Sequence, residues 1–367
     1  MSQFEILPLV EKYYPAKLFV KIFVWVICKV LRYKRVFAKS NTGHVSIIAL
    51  HKIGDSIFTT HAIKKIIEFH QDKIISIICF PETKTIFKIA FPSIEIVTIP
   101  HNLFWKSRIA TRRAKKVLLQ THSEIIYDLT GAITSATLIA SSRAKKIVGM
   151  NLEYFKPLYD NYIPIRKSPH LIDIYMDVVR MVVPIGDNLD YEFPLKPNNS
   201  SRILIHPHAG WTAKEWGIDK YFELAKKLLP QYNVEFIIET NSLPAEIRNE
   251  IQKKFKLTET KSVEELIENI RDCAAFIGND SGSVHIASFL GRQTFAIYGP
   301  TNPKYCRPFG NYHSTIRHEV SCSPVIENYC FTDAGRKCPS FDCMKLLKVE
   351  TVYDAIVDFL KKERIFS

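Results

Sequence analysis

The sequence predicts an α/β protein with doubly wound parallel sheets, and three observations carry that expectation. Short, nearly uninterrupted apolar runs recur along the chain, as strands covered on both faces require. Stretches with helical apolar spacing separate them. At 367 residues the chain is long for one compact domain and suits two of roughly 150 to 180 residues.

Residues 1–44 form a segment of their own. Leu18 to Leu31 holds twelve apolar residues broken only by Lys21 and Lys29, with Lys12, Lys17, Arg32, Lys34, Arg35 and Lys39 around it. Lys17 and Lys21 are four apart and share a helical face, with Lys29 two turns on. Trp25 and several Phe and Val residues fill the other face. That is the composition of a helix lying in a membrane interface, its bases toward anionic head groups. A helix packed on the first domain, or in an oligomer interface, is the other reading.

A first domain follows, over 45–190. Val45 to Leu50, Lys73 to Phe80, Ile94 to Ile99 and Glu124 to Leu129 read as strands. A helix with Phe58, Ala62 and Ile66 on one stripe, and Ile63 and Ile67 beside it, follows the first. The loop between them, His51 to Ser56, places Asp55 at the helix start. An Asp there is most often an N-cap. Gly54, however, lets backbone approach a ligand and Lys52 adds positive charge, so the loop also suits an acid or base in a cleft. No GxGxxG or GxxxxGK[ST] is present, so neither a dinucleotide fingerprint nor a P-loop is expected.

Residues 186–201, with two prolines and an Asn-Asn-Ser-Ser run, read as a linker. The second domain, 200–348, opens with the strand and glycine turn Arg202 to Gly210. Asp219 is the expected cap of a helix with Tyr221, Leu224, Ala225 and Leu228 on its apolar stripe. Lys214, in the preceding loop between Trp211 and Trp216, suits a phosphate. Val234 to Thr240 is the next strand, and Pro244-Ala245-Glu246 begins the next helix. The run Ala274 to Ile277 reads as a strand that stops at Gly278, before the polar turn Asn279 to Ser283. A helix through Val284, Ile286, Ala287, Phe289 and Leu290 and a strand from Thr294 to Tyr298 follow. Ligands of such sheets bind beyond the strand C-termini, where turn amides and helix N-termini hold anions. Asp280, Ser281, Gly282 and His285 sit there, and capping would explain only one of them. Residues 349–367 carry a C-terminal helix around Val352 to Lys362.

The net charge of +13 suits phosphorylated ligands, an anionic membrane surface or nucleic acid. Nucleic acid comes last, because no zinc finger, helix-turn-helix or RNA-binding signature is present. No run of 18 apolar residues and no signal cleavage site are found, so the expected location is cytoplasmic. Of eight cysteines, Cys322, Cys330, Cys338 and Cys343 cluster with seven, seven and four intervening residues. Zinc patterns contain a tight CxxC-type pair, so reduced structural thiols are expected and no metal is assigned.

Three segments together resemble the glycosyltransferases of the lipopolysaccharide heptosyltransferase family, glycosyltransferase family 9. They are KIGDSIFTTHAIKKI, HPHAGWTAKEWGIDKYFELAKKL and NDSGSVHIASFLGRQTFAIYGPTNP, 63 residues. The last is the most specific, through its Asp-Ser/Thr-Gly-x-x-His turn and later Tyr-Gly-Pro-Thr. The resemblance implies a GT-B fold, two facing Rossmann-like domains with a cleft between them. It makes Asp55 the catalytic base and Lys214 the residue that meets the donor phosphates. Asp280, Ser281, Gly282 and His285 become the nucleotide-sugar turn, and Glu246, with Glu239 as the alternative, the ribose contact. The implied donor is ADP-heptose, and the implied acceptor a lipid-linked core sugar at the inner face of the inner membrane. The segment before Val45 is longer than the family pattern, so its role is not inherited. The cysteine tail is similar to cysteine-bearing tails in the family, and some protein-glycosylating relatives have iron-binding cysteines.

The expected chemistry is inverting transfer without a cofactor, with no Asp-x-Asp motif to hold a divalent ion. Lys52 and Gly54 are candidates for phosphate or acceptor contacts. Another nucleotide sugar, a protein acceptor, and a non-catalytic nucleotide-sugar-binding protein are the alternatives.

Overall fold

Parallel strands need long crossovers, and the helical segments between the apolar runs supply them. The computed structural model describes residues 18–36, 43–166, 170–184, 200–310, 312–330 and 335–362. Lys12, Lys17, Lys39 and most of the expected 186–201 linker lie outside the described residues. The chain divides into two compact units, Met1–Asp190 and Tyr191–Ser367.

In the first unit, β1 (His44–Ala49), β2 (Ile74–Cys79) and β3 (Glu95–Thr98) come first. A short antiparallel ribbon of β4 (Phe104–Trp105) and β5 (Ile109–Ala110) follows, then β6 (Ile125–Asp128), β7 (Lys146–Asn151) and β8 (Asn161–Pro164). The main sheet runs β3-β2-β1-β6-β7-β8, with every pairing parallel. In the second unit β9 (Arg202–His206), β10 (Asn233–Glu239), β11 (Lys256–Thr260), β12 (Ala275–Asn279), β13 (Gln293–Tyr298) and β14 (His313–Arg317) repeat the plan. Their order is β11-β10-β9-β12-β13-β14, again all parallel. Each unit is thus a doubly wound sheet with its first strand at the centre.

The central strands are buried because their side chains are apolar on both faces. Ile203, Ile205, Phe236, Ile277, Phe295 and Ile297 share one core with the Ile218–Leu228 helix. The Val349–Lys362 helix adds Val352, Ile356 and Leu360 to that core, so it belongs to the second unit and is not a separate segment. Asp219 is not the cap of the Ile218–Leu228 helix. Gly217 takes that place at φ 110°, a left-handed value that favours glycine, and Asp219 falls in the first turn. The strands that the apolar pattern did not mark are the two-residue β4 and β5 of the ribbon, and β7, β8, β11 and β14. β8, β11 and β14 lie at the sheet edges, half-buried and largely polar, and β7 is interrupted by Gly149.

The Leu18–Val36 helix packs on the first unit rather than standing off it. Val24, Cys28 and Leu31 meet its core. Arg35, 6% exposed, donates to the carbonyls of Ala144 (2.8 Å) and Leu158 (3.3 Å) and to Asp160 (2.8 Å). Arg32 donates to the other oxygen of Asp160 at 2.9 Å. Lys21, seven residues before Cys28, is half-buried on this docked side while Lys29 is exposed. The bases therefore do not gather on one face as the sequence spacing suggested.

Gly149 is required by packing. A Cβ there would stand 2.8 Å from the Asp128 carbonyl and 2.9 Å from the Tyr159 ring. Gly149→Ala is expected to destabilise the protein by about 1–3 kcal/mol, the usual cost of overpacking, read as a lower urea midpoint.

Candidate functional site

In doubly wound sheets the ligand crevice opens where the strand order reverses. In the second unit that point lies between β9 and β12. Asn279, the last residue of β12, ties the two strand ends together. Its amide donates to the Pro207 carbonyl at 2.6 Å, and its oxygen accepts from the Trp216 amide (3.1 Å) and the Tyr221 hydroxyl (2.9 Å). Sequence reading passed over Asn279 because an Asn in a turn is ordinary.

Asp280 follows, 3% exposed, and its amide donates to the Ile297 carbonyl. One carboxylate oxygen lies 2.7 Å from the Lys214 ammonium. The other lies 3.9 Å from His285 Nε2 and 4.0 Å from Cys306 Sγ. Lys214 closes a short 3₁₀ turn, Thr212–Lys214, and is 8% exposed, with its ammonium 4.1 Å above the Trp211 ring. Arg336, a cation that no sequence pattern singles out, approaches the same ring at 4.9 Å. Only one of the two expected tryptophans meets Lys214. Trp216 turns inward, edge-on to Tyr221, and donates to the Leu347 carbonyl.

Ser281 holds the N-cap place of the Gly282–Phe289 helix with extended backbone, but its side chain caps no amide. Its hydroxyl lies 2.7 Å from that of Ser283, which is 3.3 Å from His206 Nδ1. Ser281 and Gly282 are half-buried, whereas Ser283 to Phe289 are buried. Solvent therefore reaches this helix at the end whose amides carry positive partial charge, beside a buried ammonium. Such an end takes an anion. Glu246, in the first turn of the Ala245–Gln252 helix, and Glu239, at the end of β10, are both exposed.

The first unit reverses its strand order between β1 and β6, and Asp55 lies just past β1. It is the third residue of the Ile53–Phe69 helix and 5% exposed. Lys52, exposed, holds the N-cap place without a side-chain cap bond, so the capping role expected of Asp55 is not the one it fills. Gly54 is half-buried between them. Two further residues at this reversal point escaped the sequence reading, His51 just after one apolar strand and Asp128 at the end of another. His51 lies against the Leu129 carbonyl at 3.1 Å, and burial pushes its imidazole down to about 4. Asp128, fully buried, accepts from the Tyr159 hydroxyl (2.7 Å) and the Thr130 amide (3.0 Å), and burial raises its carboxyl to about 6.

The eight cysteines are free thiols. Cys322, Cys330, Cys338 and Cys343 line one small cavity with Ala213 and Pro300. Among the described residues no group of three or more His, Cys, Asp or Glu is arranged to hold a metal ion.

The model of the family described as glycosyltransferase family 9 (heptosyltransferase) matches residues 111–334, more than half of the chain. Lipooligosaccharide heptosyltransferase 2 of Campylobacter jejuni is 27% identical over 188 residues, 48% of this chain and 57% of that protein. Lipopolysaccharide heptosyltransferase 2 of Escherichia coli is 28% identical over 131 residues, 32% of this chain and 37% of that protein. The matched stretch thus spans about half, or less, of these relatives' length. Among solved structures, E. coli ADP-heptose lps heptosyltransferase II superposes with a TM-score of 0.67 at 17% identity, covering 88% of this chain and 99% of that one. E. coli heptosyltransferase WaaC with ADP gives a TM-score of 0.68 at 14% identity, covering 86% and 99%. Likeness at these identities establishes a shared fold.

Two outcomes are expected. Removing one member of a buried ion pair strands the other, so Lys214→Met and Asp280→Asn should each cost about 3 kcal/mol. The double variant should cost less than the sum by at least about 1 kcal/mol, read from a urea denaturation cycle. For pH, the imidazoles of His51, His61 and His206 are all pushed to about 4 by burial. Stability that their neutral forms contribute is present above about 6.5 and is lost as pH falls toward 4. Asp128 works the other way, its contribution being lost as pH rises from 3.8 through about 6. Three groups outweigh one, so Tm should fall from pH 7 to 4.5, and His206→Asn should lessen the fall.

Proposed function

The chain belongs to glycosyltransferase family 9, and from that membership we propose that it is an inverting glycosyltransferase. It moves heptose from ADP-heptose to the core sugar of a lipopolysaccharide or lipooligosaccharide acceptor. The observation that carries this reading is the buried Lys214–Asp280 pair beside an uncapped helix N-terminus, at the end of the central strands of the second unit. That arrangement suits a diphosphate. Lys214 exchanges its carboxylate partner for phosphate oxygens, and the amides of Ser281 and Gly282 hold the same group. Preorganised donors of this kind stabilise the charge that develops on a departing nucleotide diphosphate. Until the donor arrives Asp280 holds Lys214 in place, with His285 beside its other carboxylate oxygen, and Glu246, or Glu239, takes the ribose hydroxyls.

Asp55 is the base. It removes the proton of the acceptor hydroxyl as that oxygen attacks the anomeric carbon on the face opposite the diphosphate. The new glycosidic bond forms as the bond to ADP breaks, which inverts the centre. Lys52 and Gly54 flank the base, where a charge and an open backbone help seat a polar acceptor. The acceptor is lipid-linked, which assigns the protein to the cytoplasmic face of the inner membrane. Among the described residues no helix is long and apolar enough to cross a membrane.

Thermal shift with ADP, ADP-heptose, UDP and GDP tests the donor. A ligand at a hundred times its Kd stabilises by about 2.7 kcal/mol, so ADP and ADP-heptose should raise Tm and UDP and GDP should not. A response to UDP instead would overturn the heptose assignment. Asp55→Ala should lower kcat by about 10²- to 10⁴-fold while leaving the ADP shift intact, and unchanged turnover would remove Asp55 from the mechanism.

A further inference from the structure

The Leu18–Val36 helix is apolar on the side that faces away from the protein as well as on the side that is docked. Its inner stripe, Val24, Cys28 and Leu31, is held against the first unit. On the opposite side Phe19 (66% exposed), Ile22, Phe23 (62%), Val26 and Val30 form a second stripe, spaced three or four residues apart. A helix made only to fill a domain surface is amphipathic, with a polar outer face. A contiguous apolar outer face marks an interaction site.

The charge around this face selects the partner. Leu18–Val36 contains no acidic residue. Exposed Lys29 and Lys34 border the outer stripe on its two sides. At its foot opens a cavity of about 930 Å³ lined by Trp25, Lys29, Tyr33, Lys156, Tyr162 and Asp160. Asp160 is engaged by Arg32 and Arg35. The cavity therefore presents two lysines beside aromatic rings, Lys29 at 4.0 Å from Trp25 and Lys156 at 5.8 Å from Tyr162. An apolar ridge flanked by lysines, with aromatic rings at its edge and its one lining carboxylate, Asp160, paired to arginines, matches the layers of an anionic bilayer. Acyl chains meet the ridge, ring edges lie at head-group depth, and phosphates meet the bases.

We propose that this face seats the protein on an anionic phospholipid bilayer, the cavity between Trp25, Lys29 and Lys156 taking a lipid phosphate. This deepens the functional reading by fixing how the protein meets the membrane that carries its acceptor. It does not depend on which donor is used. Arg35 matters to it because the bonds to Ala144, Leu158 and Asp160 hold the helix in place before contact.

The test is flotation of the full chain with vesicles of phosphatidylethanolamine and phosphatidylglycerol, against vesicles of phosphatidylcholine alone. Binding at least tenfold stronger to the anionic vesicles, weakened by salt, is expected. Phe23→Ser with Val26→Asp should reduce binding at least tenfold. Lys29→Glu and Lys156→Glu should each reduce the anionic preference by about fivefold or more, since one base near such a surface contributes about that factor. Circular dichroism melts and the ADP thermal shift should be unchanged in all of these variants, which separates this proposal from the donor assignment. Equal binding to both vesicle types, or none, would overturn it. So would a dimer in light scattering that Phe23→Ser with Val26→Asp dissolves, since a second copy would then cover the face. Competition by free inorganic phosphate that fully releases the protein would reduce the cavity to a soluble-anion site and also overturn it.

Discussion

The reversal of strand order in a parallel sheet is the constraint on which the chemistry depends. Crossovers of one hand, wound outward in both directions from a central strand, leave one place where neighbouring loops diverge. In the second unit the neighbours are β9 and β12. Lys214 follows the first of these strands and Asp280 the second, so residues 66 positions apart in the chain meet at 2.7 Å. Asn279 bonds to both the Pro207 carbonyl and the Trp216 amide, which keeps the two loops from separating.

Burying an ammonium and a carboxylate costs several kcal/mol of hydration each, which their attraction offsets only in good geometry. A well-packed apolar pair would serve stability as well. Retaining the ions makes sense where an anionic ligand arrives to replace the carboxylate as the partner of Lys214. The uncapped N-terminus of the Gly282–Phe289 helix supports the same reading. A side-chain cap would satisfy amides that are instead left for a ligand. The first unit repeats the topology with a different chemical content. Its reversal point buries Asp55, His51 and Asp128, acids and an imidazole, and leaves its cation, Lys52, exposed. One fold plan thus places a buried ion pair beside an uncapped helix N-terminus in one unit and buried carboxyl groups in the other, the difference on which the proposed division of roles rests.

The N-terminal helix follows a separate logic. Its inner stripe and Arg35 make their contacts with the first unit, while its outer stripe remains exposed among the described residues. Spacing alone had suggested a basic face and an apolar face. Docking divides the helix differently, because Arg35 and Lys21 lie on the packed side and Phe19, Phe23 and Val26 turn outward.

Local residue patterns were enough to predict the repeated doubly wound plan, because apolar runs covered on both faces and helical stripes are periodic signals. They also marked Asp55, Lys214 and the turn from Asp280 to His285, since each follows a strand end that can be read directly. Edge strands such as β11 and β14 stayed hidden because half-buried polar strands lack that apolar signal. The partners of these residues became visible with the folded chain. The Lys214–Asp280 bond, the inward turn of Trp216, the burial of Asp128 and the cluster of four thiols all join residues that topology brings together. A side chain's period is written in the residues beside it. Its partner across a sheet is set by the winding of the whole chain.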